Sequence, residues 1–349
     1  MTDASTINPT AAFEDLVRAA HEAGATDLHL APGERPRVRI PSGLRAQGEV
    51  LSREEIDAMA RATFGEARLA LQAREGSAQR PLRLGEIRGR VILSMTRGSY
   101  SLAVRFNFGP LELSLERIRT PEVVEGWLGA SHGLIVVAGP HGSGKTTTLH
   151  AMTEWLNANR SVHLCTVEDP LSYEIVSKQA LVQQREVGVD VPSTAAGVAA
   201  ALASDLDVLV VTALADLEAL SAVLHAAETG HLVLVQVHAN STDEALERIV
   251  EATPPSMHAM VRRALSETLR GVICQRLVRK VDGRGRVAAY ETLVPDERLQ
   301  ATLVSGGRLS GLPRGAASLS MSDDLATLVE TRLIALDDAD EVRAKLQRG

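Results

Sequence analysis

The stretch GLIVVAGPHGSGKTTTLHAM, Gly133 to Met152, decides how this chain folds. Its first residues are an uninterrupted apolar run, as in a strand buried on both faces. Gly139 to Thr146 then reads GPHGSGKT, a full G-x-x-x-x-G-K-[ST], and TTTLHAMTEWL follows with helical periodicity. Strand, glycine loop and helix in that order separate a phosphate-binding loop from a glycine-rich turn. Gly139, Gly142 and Gly144, spaced by Pro140, His141 and Ser143, let backbone N–H groups wrap a phosphate, and the helix N-terminus adds positive partial charge. Lys145 is suited to the outer phosphates, the Thr146 hydroxyl to one Mg²⁺ position, and Thr147 extends the site into the first helical turn.

Downstream, apolar strands alternate with helical or irregular crossovers: VHLCTVED, DVLVVTA and HLVLVQVHA. That pattern predicts an α/β domain with a parallel sheet covered on both faces. Upstream, residues 1–110 are mixed. NPTAAFEDLVRAAHEAG has helical spacing, Ser52 and Glu55 make a capping box before a helix, and RVILSMTRGSYSLAVRF predicts two strands about a Gly98–Ser99 turn. Residues 111–130, following Pro110 and containing Pro121, read as a linker with a short helix before a core over 131–295. The remainder, 296–349, reads as a helical bundle or tail.

Hydrolysis needs more than a cradle: a carboxylate near the γ-phosphate and a positive group for the transition-state charge. Glu168 and Asp169 in TVEDP lie at a strand's C-terminal end, where ligands meet an open α/β sheet; capping a turn before Pro170 is the alternative. His238 ends another strand and is a γ-phosphate sensor or a satisfied histidine. Arg97 and Arg105 are arginine fingers reaching a neighbouring subunit, or ordinary surface arginines.

Composition narrows the class. The 349 residues are 45% hydrophobic and 23% charged, with a formal charge of −7, which argues against a nucleic-acid partner. Aromatics are only 3%, so the core is aliphatic. No apolar run approaches the ~20 residues of a membrane span. No secretory signal is visible, so a cytoplasmic location is expected. Cys165 and Cys274 lack metal-ligand spacing and are expected as buried thiols.

Taken together, the motifs resemble the secretion ATPase superfamily, most closely the twitching-motility retraction ATPases of type IV pili, the PilT family. ATDLHLAPG is similar to that family's N-terminal segment, GPHGSGKTTT to its Walker A, CTVEDPLSY to its Asp box, AAETGHLVLVQVHANS to its His box, and RGVICQRLVRKVDGRGRVAAYE to its C-terminal core. The resemblance implies a PAS-like N-domain, a RecA-like P-loop domain, ATP with Mg²⁺, a hexameric ring and an inner-membrane pilus or secretion platform as partner. It implies Thr146 and Glu168 at the metal, Glu168 and His238 in catalysis, and Arg97 and Arg105 as the trans arginines.

The departures cluster in one place. Family members read DPDVILVGEMRDLET where this chain reads DLDVLVVTALADLEA, with Asp207, Val208, Asp216, Leu217 and Glu218 in register. The Walker B glutamate falls on Ala213 and the next arginine on Ala215; Ala203 also replaces an arginine. DERLQATLVSGG lacks the family's helix pattern after its conserved strand. Losing a general base removes a contribution of ~10²–10⁴-fold in rate. Two readings follow: a motor ATPase using Glu168 or Asp207 in an altered site, and a non-hydrolysing ring subunit beside an active paralogue. A P-loop kinase would leave the N-domain, TGHLV and VHANS motifs unexplained.

Overall fold

The computed structural model describes residues 8–40, 42–106, 113–214, 216–283, 285–309, 315 and 317–346. The chain divides into two compact units. The first comprises residues 1–112 with two short segments, 170–174 and 188–190. Its elements are α1 (Pro9–Glu22), β1 (Asp27–Leu30), β2 (Arg37–Ile40), β3 (Gly43–Ala46), α2 (Arg53–Glu75), β4 (Ser77–Leu84), β5 (Ile87–Thr96) and β6 (Ser99–Phe106). The strands form an antiparallel sheet in the order β3-β2-β1-β6-β5-β4. Phe13 and Val17 of α1 and Ile56, Met59 and Phe64 of α2 join Leu28, Leu30, Val38, Val91 and Val104 in its core.

Local signals explain these boundaries. The Ser52–Glu55 capping box forms in both directions at the start of α2, satisfying two otherwise orphaned donors. The β5–β6 turn falls one residue earlier than expected, on Arg97 and Gly98, with φ of 49° and 75°. Two positive φ values suit the right-handed twist of a two-residue hairpin. Arg97 is thus a turn residue, not a strand residue.

The second unit contains α3 (Leu115–Ile118), α4 (Val123–Leu128), β7 (Gly133–Gly139), α5 (Lys145–Asn159), β8 (His163–Glu168), β9 (Leu181–Glu186), α6 (Thr194–Leu202), β10 (Val208–Val211), α7 (Leu217–Glu228), β11 (Leu232–His238), α8 (Thr242–Glu251), α9 (His258–Thr268), β12 (Leu269–Arg279), β13 (Arg286–Leu293), α10 (Glu297–Ser305), α11 (Met321–Glu330) and α12 (Leu336–Leu346). The sheet order is β13-β12-β7-β11-β10-β8-β9, parallel except for β13. Successive β7 side chains serve opposite cores: Leu134, Val136 and Ala138 join residues of α6 to α10, while Ile135 and Val137 join those of α3, α4 and α5. Both faces are covered, which is why the strand has no polar alternation.

One expectation changes. Residues 113–130 are not a free linker, because Leu115, Val124, Trp127 and Leu128 are buried beside Ile135 and Ile273. DERLQATLVSGG forms a helix, α10, in keeping with the helical reading of 296–349: Asp296 caps its N-terminus through Leu299 N–H at 2.8 Å, Gly306 ends it at φ 74°, and Leu299 and Leu303 are buried. The C-terminal α11 and α12 pack Met321, Leu325 and Leu328 with Val278, Val287 and Ala289 of the β12–β13 hairpin. Cys165 and Cys274 are buried free thiols, and burial, followed by the Glu291 charge, pushes Cys274 up to about 12.

The β12 strand passes so close to α4 that a Cβ on Gly271 would lie 2.3 Å from the Trp127 ring. Gly271→Ala should therefore cost about 1–3 kcal/mol of stability through overpacking. Thermal denaturation followed by circular dichroism should show a melting temperature several degrees lower; an unchanged value would mean that α4 shifts freely.

Candidate nucleotide-binding site

The Gly139–Thr146 loop leaves the C-terminal end of β7 between β11 and β12, where His238 pairs with Gly139 and Cys274 with Ala138. Gly139 has φ 154°, and a Cβ there would lie 2.3 Å from Ser143 Oγ and 2.7 Å from the Gln275 carbonyl. Only glycine lets the strand turn this tightly into the loop. The helix then starts at Lys145, with Gly144 in the left-handed region at φ 90°.

Lys145 is 4% exposed. Its Nζ donates to the carbonyls of Gly139 at 2.9 Å and Pro140 at 2.8 Å, and lies 3.2 Å from His238 Nδ1. Burial holds the ammonium below the usual lysine range. Burial also depresses His238, and the nearby charges of Lys145, His141 and Arg248 depress it further. A neutral His238 carrying its proton on Nε2 accepts a hydrogen bond from Lys145 at Nδ1, which an imidazolium cannot do. The His141 ring stacks near the His238 ring, with centroids 6.3 Å apart.

Thr146 donates its hydroxyl to Gln236 Oε1 at 3.1 Å, and Gln275 Nε2 donates to the Ser143 carbonyl at 2.8 Å. Ser143 Oγ and Gln275 Oε1 are buried without a hydrogen-bond partner among the described residues. Thr147 is half-buried in the first turn of α5, while His141 and Gly142 are exposed at the loop tip. A glycine cradle, a cation resting on the loop's own carbonyls and unpartnered polar atoms beside it fit a phosphate group.

The expected acids are arranged differently from one another. Glu168 ends β8 fully buried: Thr166 Oγ1 donates to it at 2.8 Å, Gln184 Nε2 at 3.1 Å, and His150 Nε2 lies 3.2 Å away. Asp169 is exposed, and its N–H donates to Thr212 Oγ1 at 3.2 Å. Thr212 follows the end of β10, where Val211 lies level with Val167 and Val235. Ala213 is half-buried just beyond it. Ala215 lies outside the described residues. Asp207 cannot substitute for the missing acid: it precedes β10 and accepts from His163 N–H at 2.8 Å, at the opposite end of the sheet. A four-residue strand separates it from the loop end by about 13 Å.

Arg97 and Arg105 belong to the first unit. Arg105 Nε pairs with Asp27 Oδ1 at 3.0 Å on an open sheet face, so an exposed ion pair already engages it. Among the described residues, no carboxylate hydrogen-bonds Lys145 or Thr146. Gln236, Gln275 and His150 were not singled out by sequence reasoning. The first two had a signal, since each is a lone amide interrupting an apolar strand.

His238 also gives the fold a pH dependence. Its folded-state pKa lies below the ordinary imidazole value of 6.5, so the unfolded chain binds the proton more readily. The associated stability is present above that value and is lost as pH falls through the folded pKa. His238→Gln should flatten the fall in melting temperature between pH 7.5 and 5.5; an equally steep fall in the variant would assign the effect to other groups.

Comparison with known proteins agrees with this geometry. The family model for type II/IV secretion system proteins matches residues 5–307. The type IV pilus retraction ATPase PilT of Pseudomonas aeruginosa is 35% identical over 291 residues, 80% of this chain and 81% of that protein. A twitching motility protein of Neisseria gonorrhoeae is 37% identical over 233 residues, covering 65% of this chain and 62% of that protein. The crystal structure of the pilus retraction motor PilT with bound ADP superimposes with a TM-score of 0.81 at 33% identity, over 94% of this chain and 96% of that one. With the match running from the first unit through the P-loop to α10, the chain belongs to the type II/IV secretion system protein family.

Proposed function

We propose that this chain is an ATP-binding subunit of a type IV pilus motor of the retraction type, with hydrolysis weakened by the alanine at position 213. The observation that carries the reading is the Lys145 ammonium, held at the mouth of a glycine cradle by two loop carbonyls and His238. Phosphate oxygens are stronger acceptors than those carbonyls, so a triphosphate would draw the ammonium onto itself. Ser143, Gly144 and the first turn of α5 would supply backbone donors. Relatives of this chain include type IV pilus ATPases, and the similar pilus retraction motor was solved with ADP.

Mg²⁺ would be held through the Thr146 hydroxyl, with the remaining ligands coming from the phosphates and water. No cluster of three or more acidic, histidine or cysteine side chains suited to a metal occurs among the described residues. The ion supplies charge neutralisation when bound. The chain's own part is to orient the phosphates with Lys145 and the loop, and to hold a water with an acid. Among the described acids, Glu168 ends a strand beside β10, where Thr166, Gln184 and His150 engage it. An engaged, buried acid is a poor substitute for one aimed at the γ-phosphate, because a misplacement of about 1 Å can cost ~10²-fold.

In a ring of copies, or of this chain with a paralogue, Arg97 at a hairpin tip would be the better trans arginine than the Asp27-paired Arg105. No described helix is long and apolar enough to cross a membrane, so attachment to the inner-membrane platform would run through protein contacts. The same engaged Glu168 favours a second reading, a non-hydrolysing subunit that regulates an active ring.

Single-turnover hydrolysis and fluorescent-ATP binding separate the two. Wild type should bind ATP, Lys145→Ala should abolish binding, and Ala213→Glu should raise turnover at least tenfold towards the ~10²–10⁴-fold expected of a general base. Residual wild-type turnover should vanish in Glu168→Gln. Binding with no turnover in wild type selects the regulatory reading; absence of binding overturns both.

A further inference from the structure

Gln236 has no role in any reading given so far, yet its carboxamide meets the one P-loop hydroxyl suited to a cation. Thr146 Oγ1 donates to Gln236 Oε1 at 3.1 Å. The two residues come from different elements, the first turn of α5 and the strand β11, and are 90 positions apart in sequence. Gln236 pairs with Val137 of β7, two residues before His238, so both side chains leave the same face of β11. One strand face thereby holds both P-loop side chains, Lys145 through His238 and Thr146 through Gln236.

A hydroxyl has one proton and two lone pairs. When the proton is committed to an acceptor, the lone pairs are turned away from it and cannot rotate freely. A hydroxyl that ligates a cation must present a lone pair, so an acceptor for its proton prepares it for that task. Among the described residues Gln236 is the only hydrogen-bond partner of the Thr146 side chain. Being an amide, it orients the hydroxyl without adding negative charge.

We propose that Gln236 is a positioning residue that sets the Mg²⁺ contribution to nucleotide affinity by orienting the Thr146 hydroxyl. This inference rests on the nucleotide-binding reading above. It assigns Gln236 to neither the phosphates nor the hydrolytic water. Affinity without Mg²⁺ depends on Lys145 and the loop's backbone N–H groups, and among the described residues Lys145 makes no hydrogen bond to Gln236. Affinity gained from Mg²⁺ depends on Thr146, which does. A carboxylate at the same position would keep the acceptor and strengthen the hydrogen bond by its charge.

The test is isothermal titration of the full chain with AMP-PNP, once with Mg²⁺ and once with EDTA. In wild type, Mg²⁺ should tighten binding. Gln236→Leu should shrink the ratio of the two affinities by about tenfold, roughly the loss of one orienting hydrogen bond, while the EDTA value stays within about twofold. The near-isosteric Gln236→Glu should enlarge the ratio beyond wild type, and it serves as the deciding variant if the leucine protein does not fold. An unchanged ratio in the leucine variant, or in the glutamate variant where the leucine protein does not fold, overturns the inference. An equal loss with and without Mg²⁺ also overturns it, since that marks a purely structural contact. Failure of wild type to bind under either condition instead overturns the nucleotide-binding reading itself.

Discussion

The Lys145 ammonium is almost entirely removed from water, and its satisfaction constrains everything around it. An isolated buried cation is strongly unfavourable, so every donor needs an acceptor at short range. Two acceptors come from the loop's own carbonyls, and the third is an imidazole on β11 that must be neutral. That third contact exists only because β11 lies beside β7 with His238 level with Gly139. The parallel pairing, the glycine at the strand end and the depressed histidine are thus one constraint seen at three scales.

The same edge of the sheet shows what the site lacks. At the ends of β8, β10 and β11 stand Glu168, Thr212 and His238. Thr212 uses its hydroxyl to tie down the backbone of Asp169, which is a structural use of a position beside the cradle. Ala213 offers a methyl group. Glu168 is satisfied by Thr166 and Gln184 and faces His150 on the P-loop helix. In the proposed reading, binding and turnover would draw on different parts of this sheet edge, the glycine loop on one side and the hydrogen-bonded Glu168 on the other.

Much of this was readable from residue order. The uninterrupted apolar run of β7 required a strand covered on both faces, and GPHGSGKT after it required the phosphate loop. Other features were hidden for physical reasons. The edge strand β9, LVQQRE, is half polar because it has a neighbour on one side only, so it carries no apolar run to recognise. The stretch with two prolines before Gly133 looked like a linker, yet its Trp127 and Leu128 are core residues. The segment after β13 departs from the family's helix pattern, yet its Asp296 cap and two buried leucines suffice for α10.

Sequence alone determined the parallel α/β core, the phosphate loop and the absence of a carboxylate at position 213, because each is a local pattern in which spacing dictates conformation or chemistry. Tertiary structure alone decided what each polar side chain is for. Asp207 and Glu168 look equivalent as letters, but β10 separates them in direction: one lies at the far end of the sheet, the other is buried beside β9 and α5. Gln236 and Gln275 look like blemishes in apolar strands, and only the pairing of β7 with β11 and β12 brings them to the loop. Contacts between residues 90 or 132 positions apart are set by strand register, which no local pattern encodes.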